Sequence, residues 1–123
     1  MNKKYIEFIC LLHGFLIRIK EIHWNTLSNS EHIICDEIQD DFMKFEDDFM
    51  ECCMGIEGKH FQVGNLLPLL PNSETLFGVL KEFEFDIIVM KKKCDSINES
   101  GLSNILDEMM QFINKYKYRV TQK

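Results

Sequence analysis

Apolar residues recur every three or four positions along four long segments of the chain, and polar or glycine-containing stretches separate these segments. The segments cover about residues 4–24, 30–54, 73–94 and 101–121. This spacing is typical of helices that bury one face, and no segment shows the strict alternation of a half-buried strand. The pattern predicts an all-α protein with four long helices.

The interval between the second and third helices is the longest interruption in this pattern. Three glycines and two prolines lie between residues 55 and 72, and both residue types favour turns. We expect Asn29 or Ser30 to cap the second helix, which should end at Gly55, and Ser73 to cap the third. The interval also holds several leucines. We therefore expect a short helical turn there, which crosses the bundle or takes part in a dimer contact.

Two long helices, a long connector and two further helices are typical of an up-down four-helix bundle, and residues 1–123 suffice for one such domain. The five cysteines are odd in number and form no regular framework, so we expect reduced thiols in a cytoplasmic protein. No apolar run approaches the length of a membrane span. The net charge of -6 disfavours DNA binding, although short basic stretches lie near both ends.

Residues of the types that bind metal ions are spaced along one face of the second helix. His32 and Asp36 are four residues apart, and so are Asp47 and Glu51. Residues i and i+4 lie one above the other on a helix, so each pair can hold one ion. The step from Asp36 to Asp47 is close to three full turns, which keeps all four residues on one face. A solvated acidic face explains single residues of this kind better than it explains the whole pattern.

One helix cannot bring both pairs to a single ion, because about 16 Å of helix separates them. If two copies pack antiparallel about a two-fold axis, His32 and Asp36 of one chain face Asp47 and Glu51 of the other, and symmetry makes two sites per dimer. Methionines accompany the ligand face, which suits a homodimer contact. An apolar stripe, rotated away from this face, is expected to pack inside the monomer. The stripe consists of Ile34, Ile38, Phe42, Phe45, Phe49 and Cys52.

These pairs, together with a tripeptide at the end of the first helix, resemble a motif of the Dps proteins. Dps proteins are ferritin-like, DNA-protecting proteins of starved cells, and short Dps-like proteins are related to them. The likeness covers His23-Trp24-Asn25, His32-x-x-x-Asp36 and Asp47-x-x-x-Glu51. The likeness includes specific residues through the second helix. Beyond that helix, only the helical architecture is similar. The interval between His23 and His32 is shorter than in the family.

The resemblance implies a ferritin-like bundle with a ferroxidase centre shared between two-fold-related subunits. It implies that Fe(II) binds at His23, His32 and Asp36 of one chain together with the two acidic residues of its partner, and is oxidised there by peroxide or oxygen. Trp24 matches a tryptophan beside that centre which is associated with quenching reactive products. The resemblance also implies a hollow twelve-subunit cage that stores iron. Zinc or copper would bind such ligands more tightly than iron in vitro.

A second hypothesis belongs to a different functional class. The same bundle and dimer can serve as a structural or interaction protein, whose metal site is vestigial or holds an ion only for stability. The intact ligand spacing favours the ferroxidase, whereas the methionine and cysteine content and the missing lysine-rich tail of the family leave the structural alternative open. Without that tail, we do not expect the DNA binding of the family.

Overall fold

A computed structural model describes residues 1–122, so Lys123, at the end of the expected domain, lies outside the described residues. Four helices form, and no strand occurs among residues 1–122. They are α1 (Lys3–Asn25), α2 (Asn29–Glu57), α3 (Leu76–Ser96) and α4 (Ser100–Val120). The prediction of an all-α four-helix bundle is confirmed. None of these helices is long and apolar enough to cross a membrane.

The ends of α2 differ from the sequence prediction for identifiable reasons. The cap is Ser28, whose hydroxyl accepts a hydrogen bond from the Glu31 N–H, so the expectation of Asn29 or Ser30 was wrong. The helix also continues through Gly55, since a glycine costs a helix only about 1 kcal/mol and does not by itself end it. It ends where Gly58 adopts the left-handed conformation, with φ of 64°.

The beginning of α3 was also predicted too early. Thr75 caps this helix by accepting a hydrogen bond from the Gly78 N–H, so α3 starts at Leu76. Ser73 lies outside the helix and contacts the Thr75 hydroxyl at 3.3 Å. Residues 58–75 contain turns but no helix, and the expected helical turn in the connector was therefore wrong.

Each helix packs against two neighbours, and neighbouring helices run antiparallel. α1 contacts α2 and α3, whereas α4 contacts the other sides of α2 and α3. The Asn2 N–H donates to Glu57, so the start of α1 meets the end of α2. The connector then runs along α1, where Leu69 contacts Cys10 and Pro71 contacts Arg18, and reaches the start of α3 at the opposite end of the bundle. As a result, α2 and α3 lie diagonally opposite each other in the bundle and point in the same direction.

Aromatic rings fill the centre of the bundle. The rings of Phe15 and Phe83 stack at 4.5 Å between centroids, and those of Phe8 and Phe49 lie 4.9 Å apart. The apolar stripe predicted for α2 is buried except for Cys52, which is only partly covered. Because α2 buries this stripe, its metal-ligand face is directed outward.

The connector is held against α1 by backbone contacts. The Leu69 N–H donates to the Cys10 carbonyl at 3.0 Å, and a β-carbon at Gly14 would overlap the Leu69 carbonyl oxygen. The Arg18 guanidinium donates to the Pro71 carbonyl at 2.9 Å. Glu82 of α3 accepts the backbone N–H groups of two connector residues, Asn72 and Ser73. These contacts fix the connector without a helix of its own.

Candidate metal centre

The short turn between α1 and α2 brings the end of one helix beside the start of the next. α1 ends at Asn25, and the Thr26 N–H closes its last turn on the Ile22 carbonyl. Ser28 already caps α2, so only a few residues join the two helices. His23, in the last turn of α1, therefore lies against the first two turns of α2.

His23, His32 and Asp36 form a compact cluster at this corner. The Nε2 of His23 lies 2.8 Å from Oδ1 of Asp36, and the Nε2 of His32 lies 4.0 Å from Oδ2. The two imidazole centroids are 3.8 Å apart. One ligand atom from each residue lies within 4.8 Å of the others. Three of the five predicted ligands thus come together within one chain, despite the short interval between the histidines.

The His23 ring has no hydrogen-bond partner although it is largely covered. Its side chain is 13% exposed, and both ring nitrogens are buried without a hydrogen bond among the described residues. The Asp36 carboxylate lies within ion-pair distance of Nε2, but its direction does not fit a hydrogen bond, so it does not satisfy the ring nitrogen. A buried polar atom without a partner is costly. A cation on a His23 nitrogen would remove this cost.

The distances in the cluster suit a small divalent cation after a slight adjustment. Nitrogen and carboxylate ligands bind such ions at about 2.0–2.2 Å, so ligand atoms on opposite sides of an ion are about 4.4 Å apart. The widest separation allowed in the cluster, 4.8 Å, exceeds this only slightly. His32 is 47% exposed and free to move inward. Three protein ligands leave further coordination positions open.

Asp47 and Glu51 do not join this cluster in the single chain. Both are exposed on the same outward face of α2, about 16 Å along the helix. Within residues 1–122, His23, His32 and Asp36 are the one group of three or more such residues with this proximity. Met43 lies between the two ends of this face and is 54% exposed. The chain therefore carries both predicted halves of the site without bringing them together.

Trp24 lies next to the cluster in sequence but points into solvent. Its side chain is 72% exposed, and the Lys20 ammonium lies 5.9 Å from the ring centroid. A large exposed apolar ring beside a cluster of potential ligands is a feature of contact surfaces. The ring is accessible to solvent.

A second histidine–carboxylate pair, which spacing along single helices did not predict, lies between the same two helices. The Nδ1 of His13 on α1 lies 2.9 Å from Oε2 of Glu46 on α2. His13 and His23 are ten residues apart, and so are Asp36 and Glu46. In two antiparallel helices this matched spacing pairs each histidine with a carboxylate, which is the signal that was available in the sequence.

Tyr116, Cys35 and Cys53 lie outside the cluster and are buried in the bundle. The Tyr116 hydroxyl donates to Asp41, which joins α4 to α2, and burial together with that carboxylate raises the pKa of Tyr116. Burial raises the pKa of Cys35 to about 12 and also raises the pKa of Cys53. These cysteines are protonated thiols at neutral pH, so they are poor metal ligands.

Comparison with known proteins gives a family but no activity. Searches of curated proteins and of solved structures each gave no match. A family model described as "Family of unknown function (DUF5856)" matches residues 23–120, and this range includes all five predicted ligands. Because residues 23–120 are most of the 123-residue chain, the protein belongs to the DUF5856 family.

Proposed function

We propose that the protein is a Dps-like, iron-binding ferroxidase whose site is completed only in a homodimer. The observation that carries this proposal is the cluster of His23, His32 and Asp36, in which a covered imidazole has two unpartnered nitrogens. Imidazole and carboxylate groups together suit Fe(II) and its oxidised product. Iron is then the substrate of the site, and the protein limits the oxidative damage that free iron and peroxide would cause.

The second half of the site comes from the partner chain in this proposal. An antiparallel two-fold pairing of α2 sets the partner's Asp47 beside Asp36 and the partner's Glu51 beside His32. The outward face of α2 supports this pairing because both halves are exposed and Met43 lies between them as an adaptable apolar contact. Symmetry then makes two equivalent sites per dimer.

The chemistry assigned to the site is a two-electron reduction of peroxide. Two Fe(II) ions each give one electron, the oxygen–oxygen bond breaks, and two protons complete two water molecules. Carboxylates stabilise the harder Fe(III) product, whereas imidazoles hold Fe(II). The exposed Trp24 ring lies where it can intercept oxidising species that leave the site.

Assembly beyond the dimer follows from the same resemblance. We propose a cytoplasmic homo-oligomer, with a twelve-subunit cage as its largest form and iron storage as the consequence of a cage. The face of α2 that forms the dimer occupies only one side of the bundle. Exposed apolar residues on the connector, including Leu67 at 70% and Leu70 at 49%, offer further surface for contacts between subunits.

A structural role is the second candidate, and one contact favours it. The close approach of His23 to Asp36 joins the end of α1 to α2 without any metal. In that case, the cluster is a structural contact that stabilises the packing of α1 against α2. A bound ion would add stability but take no part in oxidation. Iron oxidation separates the two candidates.

Anaerobic titration with Fe(II) followed by addition of peroxide tests the proposal. We expect about two electrons to be delivered per peroxide, with ferric absorbance that saturates at a fixed ratio of iron to dimer. The double variant Asp36→Ala/Glu51→Ala should lose this oxidation, whereas His60→Ala should keep it, because His60 lies in the connector. Unchanged oxidation in the double variant, or a protein that is strictly monomeric, refutes the shared site.

A further inference from the structure

A cavity of about 210 Å³ lies where the connector crosses the groove between α1 and α3. The two helices form one apolar wall of this cavity, and the connector forms the other. The walls consist of Leu11, Phe15 and Phe83 on the helices and of Leu69, Leu70 and Pro71 on the connector. A cavity of about 150 Å³ is large enough to hold benzene. The cavity beside the connector therefore has room for a small ligand with one aromatic ring.

Backbone contacts hold the connector wall in place. The Leu69 N–H donates to the Cys10 carbonyl at 3.0 Å. The Arg18 guanidinium donates to the Pro71 carbonyl at 2.9 Å. Leu69 and Leu70 are each 49% exposed, so the cavity is open to solvent along the connector. A wall that is already fixed loses little further freedom when a ligand binds.

The charged side chains that line this cavity within residues 1–122 are two carboxylates of α3, those of Glu82 and Asp86. Glu82 is engaged, because its two oxygens accept the N–H groups of Asn72 and Ser73 at 2.9 and 2.6 Å. Asp86, one turn further along α3, has no hydrogen bond or ion pair with another described residue. An unpaired carboxylate in partly apolar surroundings is costly, and a neighbouring cation offsets that cost. The lining therefore favours a positively charged ligand.

Basic side chains flank this cavity at both ends, but none within residues 1–122 pairs with Asp86. Lys4 and Lys93 line a smaller adjoining cavity of about 100 Å³, together with Asp86 and Glu7. Lys93 is seven residues from Asp86, which is about 10 Å along α3. At the other end, the Arg18 guanidinium donates to the connector. The carboxylate of Asp86 is thus left for a cation that the chain itself does not supply.

We propose that the cavity between α1, α3 and the connector binds a small organic ammonium ion, whose apolar body lies between the two walls and whose ammonium group contacts Asp86. An ammonium donates to a carboxylate in a charge-assisted hydrogen bond, which is about twice as strong as a neutral one. The rings of Phe15 and Phe83 add an attraction for the cation. The metal cluster lies between α1 and α2, so this inference does not depend on the proposed ferroxidase.

NMR titration of the full chain with benzylamine tests the inference, because this primary amine carries a single ring. Benzyl alcohol and benzoate are its neutral and anionic analogues of similar size. We expect benzylamine to bind at least about tenfold more tightly than benzyl alcohol at pH 7, since a hydrogen bond to a charged group is stronger. Benzoate should not bind in this cavity. The largest shifts should occur at the amides of Leu11, Leu69, Leu70 and Asp86.

Asp86→Asn keeps the shape of the side chain but removes its charge, so it should lower the affinity for benzylamine to that for benzyl alcohol. Glu7→Gln is the matched control, because this carboxylate lines only the smaller cavity, and it should bind benzylamine as the wild type does. Thermal denaturation of both variants checks that they are folded.

The pH dependence of binding gives a second measure of the same contact. Burial, with a smaller effect from Glu82, raises the pKa of Asp86 to about 6, so protons compete with the ammonium. On the α4 side of α3, Lys117 pairs with Glu84, and neither lines the cavity. Benzylamine should therefore bind the wild-type protein about tenfold more weakly near pH 5 than near pH 7, whereas its binding to Asp86→Asn should not change.

Three results would overturn the inference. The first is that benzylamine does not bind, or binds no more tightly than benzyl alcohol. The second is that folded Asp86→Asn binds benzylamine as tightly as the wild-type protein. The third is that the shifts lie away from the connector and the α1–α3 groove.

Discussion

The Nε2 of His23 and the Oδ1 of Asp36 lie 2.8 Å apart, across the turn that joins α1 to α2. This contact brings a ligand from a second helix to a carboxylate that sequence spacing had paired only with His32. It adds His23 of α1 to His32 and Asp36 of α2, and the resulting cluster of three residues leaves coordination positions open. The cluster forms within a monomer, and only the acidic half of the proposed site has to come from another chain.

The fluorescence of Trp24 should report metal binding directly. Trp24 is the one tryptophan of the chain and follows His23. We expect Co²⁺ to quench its emission by energy transfer, and Zn²⁺, which does not quench, to compete and restore it. Zn²⁺ binds imidazole and carboxylate ligands of the same kind, so an excess of Zn²⁺ displaces Co²⁺. The measurement is a fluorescence titration.

Variants of the cluster control this fluorescence signal. His32→Ala and Asp36→Ala should lose most of the quenching, whereas His60→Ala should retain it. Equal quenching in the wild-type protein and in both cluster variants would place the ion elsewhere and would contradict this cluster as the binding site.

Replacing Gly14 by alanine should destabilise the fold by about 2–4 kcal/mol. The new β-carbon would overlap the Leu69 carbonyl oxygen, which is backbone and is held by the Leu69 hydrogen bond to Cys10. Gly55→Ala is the matched control, because nothing lies within 4 Å of its added carbon in α2. It should stabilise the protein by up to about 1 kcal/mol. Urea denaturation measures both, and similar small effects would show that the connector does not pack on Gly14.

Asp86 should make stability depend on pH in the mildly acidic range. Burial, with a smaller effect from Glu82, raises the pKa of Asp86 from 3.8 to about 6. The folded state therefore binds this proton more tightly than the unfolded state does. The associated stability is present below pH 3.8 and is lost as the pH rises through 6. We expect a loss of about 1 kcal/mol, since solvent screens this half-buried carboxyl.

Asp86→Asn should remove that part of the pH dependence and stabilise the protein above pH 6. Thermal denaturation at several pH values compares the two proteins, with Glu7→Gln as a control from the same groove between α1 and α3. A wild-type midpoint that rises between pH 4 and 6, or an Asp86→Asn profile identical to that of the wild type, contradicts the assignment.

Thiol reactivity should distinguish Cys52 from the other cysteines. Cys10, Cys35, Cys53 and Cys94 are buried, whereas Cys52 is only partly covered. Burial raises the pKa of Cys52. Because the thiolate is the reactive form, the higher pKa slows the reaction of this thiol. We expect about one slow thiol per native chain with a disulfide reagent at pH 8, and all five in denaturant. Cys52→Ser should abolish the native reaction. Rapid reaction of two or more thiols in the native protein counts against this packing.

The periodic apolar positions predicted the four helices because each helix of this bundle is stabilised by burying one apolar face. The stripe from Ile34 to Phe49 is buried as expected, and the outward face of α2 follows from it. The first turn of α3 is covered on one side only, because Leu76 is buried whereas Phe77 is 39% exposed.

The details that sequence spacing missed depend on contacts between distant segments. The connector has no helix of its own because Leu69 bonds to Cys10, more than fifty residues away in the chain. His13 had no special neighbour in sequence, and its pairing with Glu46 appears only when α1 and α2 are set side by side. Spacing paired His32 with Asp36, and only the family resemblance added His23. The short turn between α1 and α2 brings all three residues together.

The central claim is that one functional site needs residues from two chains, and complementation between two inactive variants tests it most directly. Asp36→Ala removes a ligand from the His23 cluster, and Glu51→Ala removes one from the acidic pair. In a mixed dimer, one site carries both defects and the other carries neither. Co-refolding the two variants in equal amounts should therefore restore peroxide-driven Fe(II) oxidation to about one quarter of the wild-type level, although each variant alone is inactive. No recovery in a preparation that contains the mixed dimer would contradict the shared site.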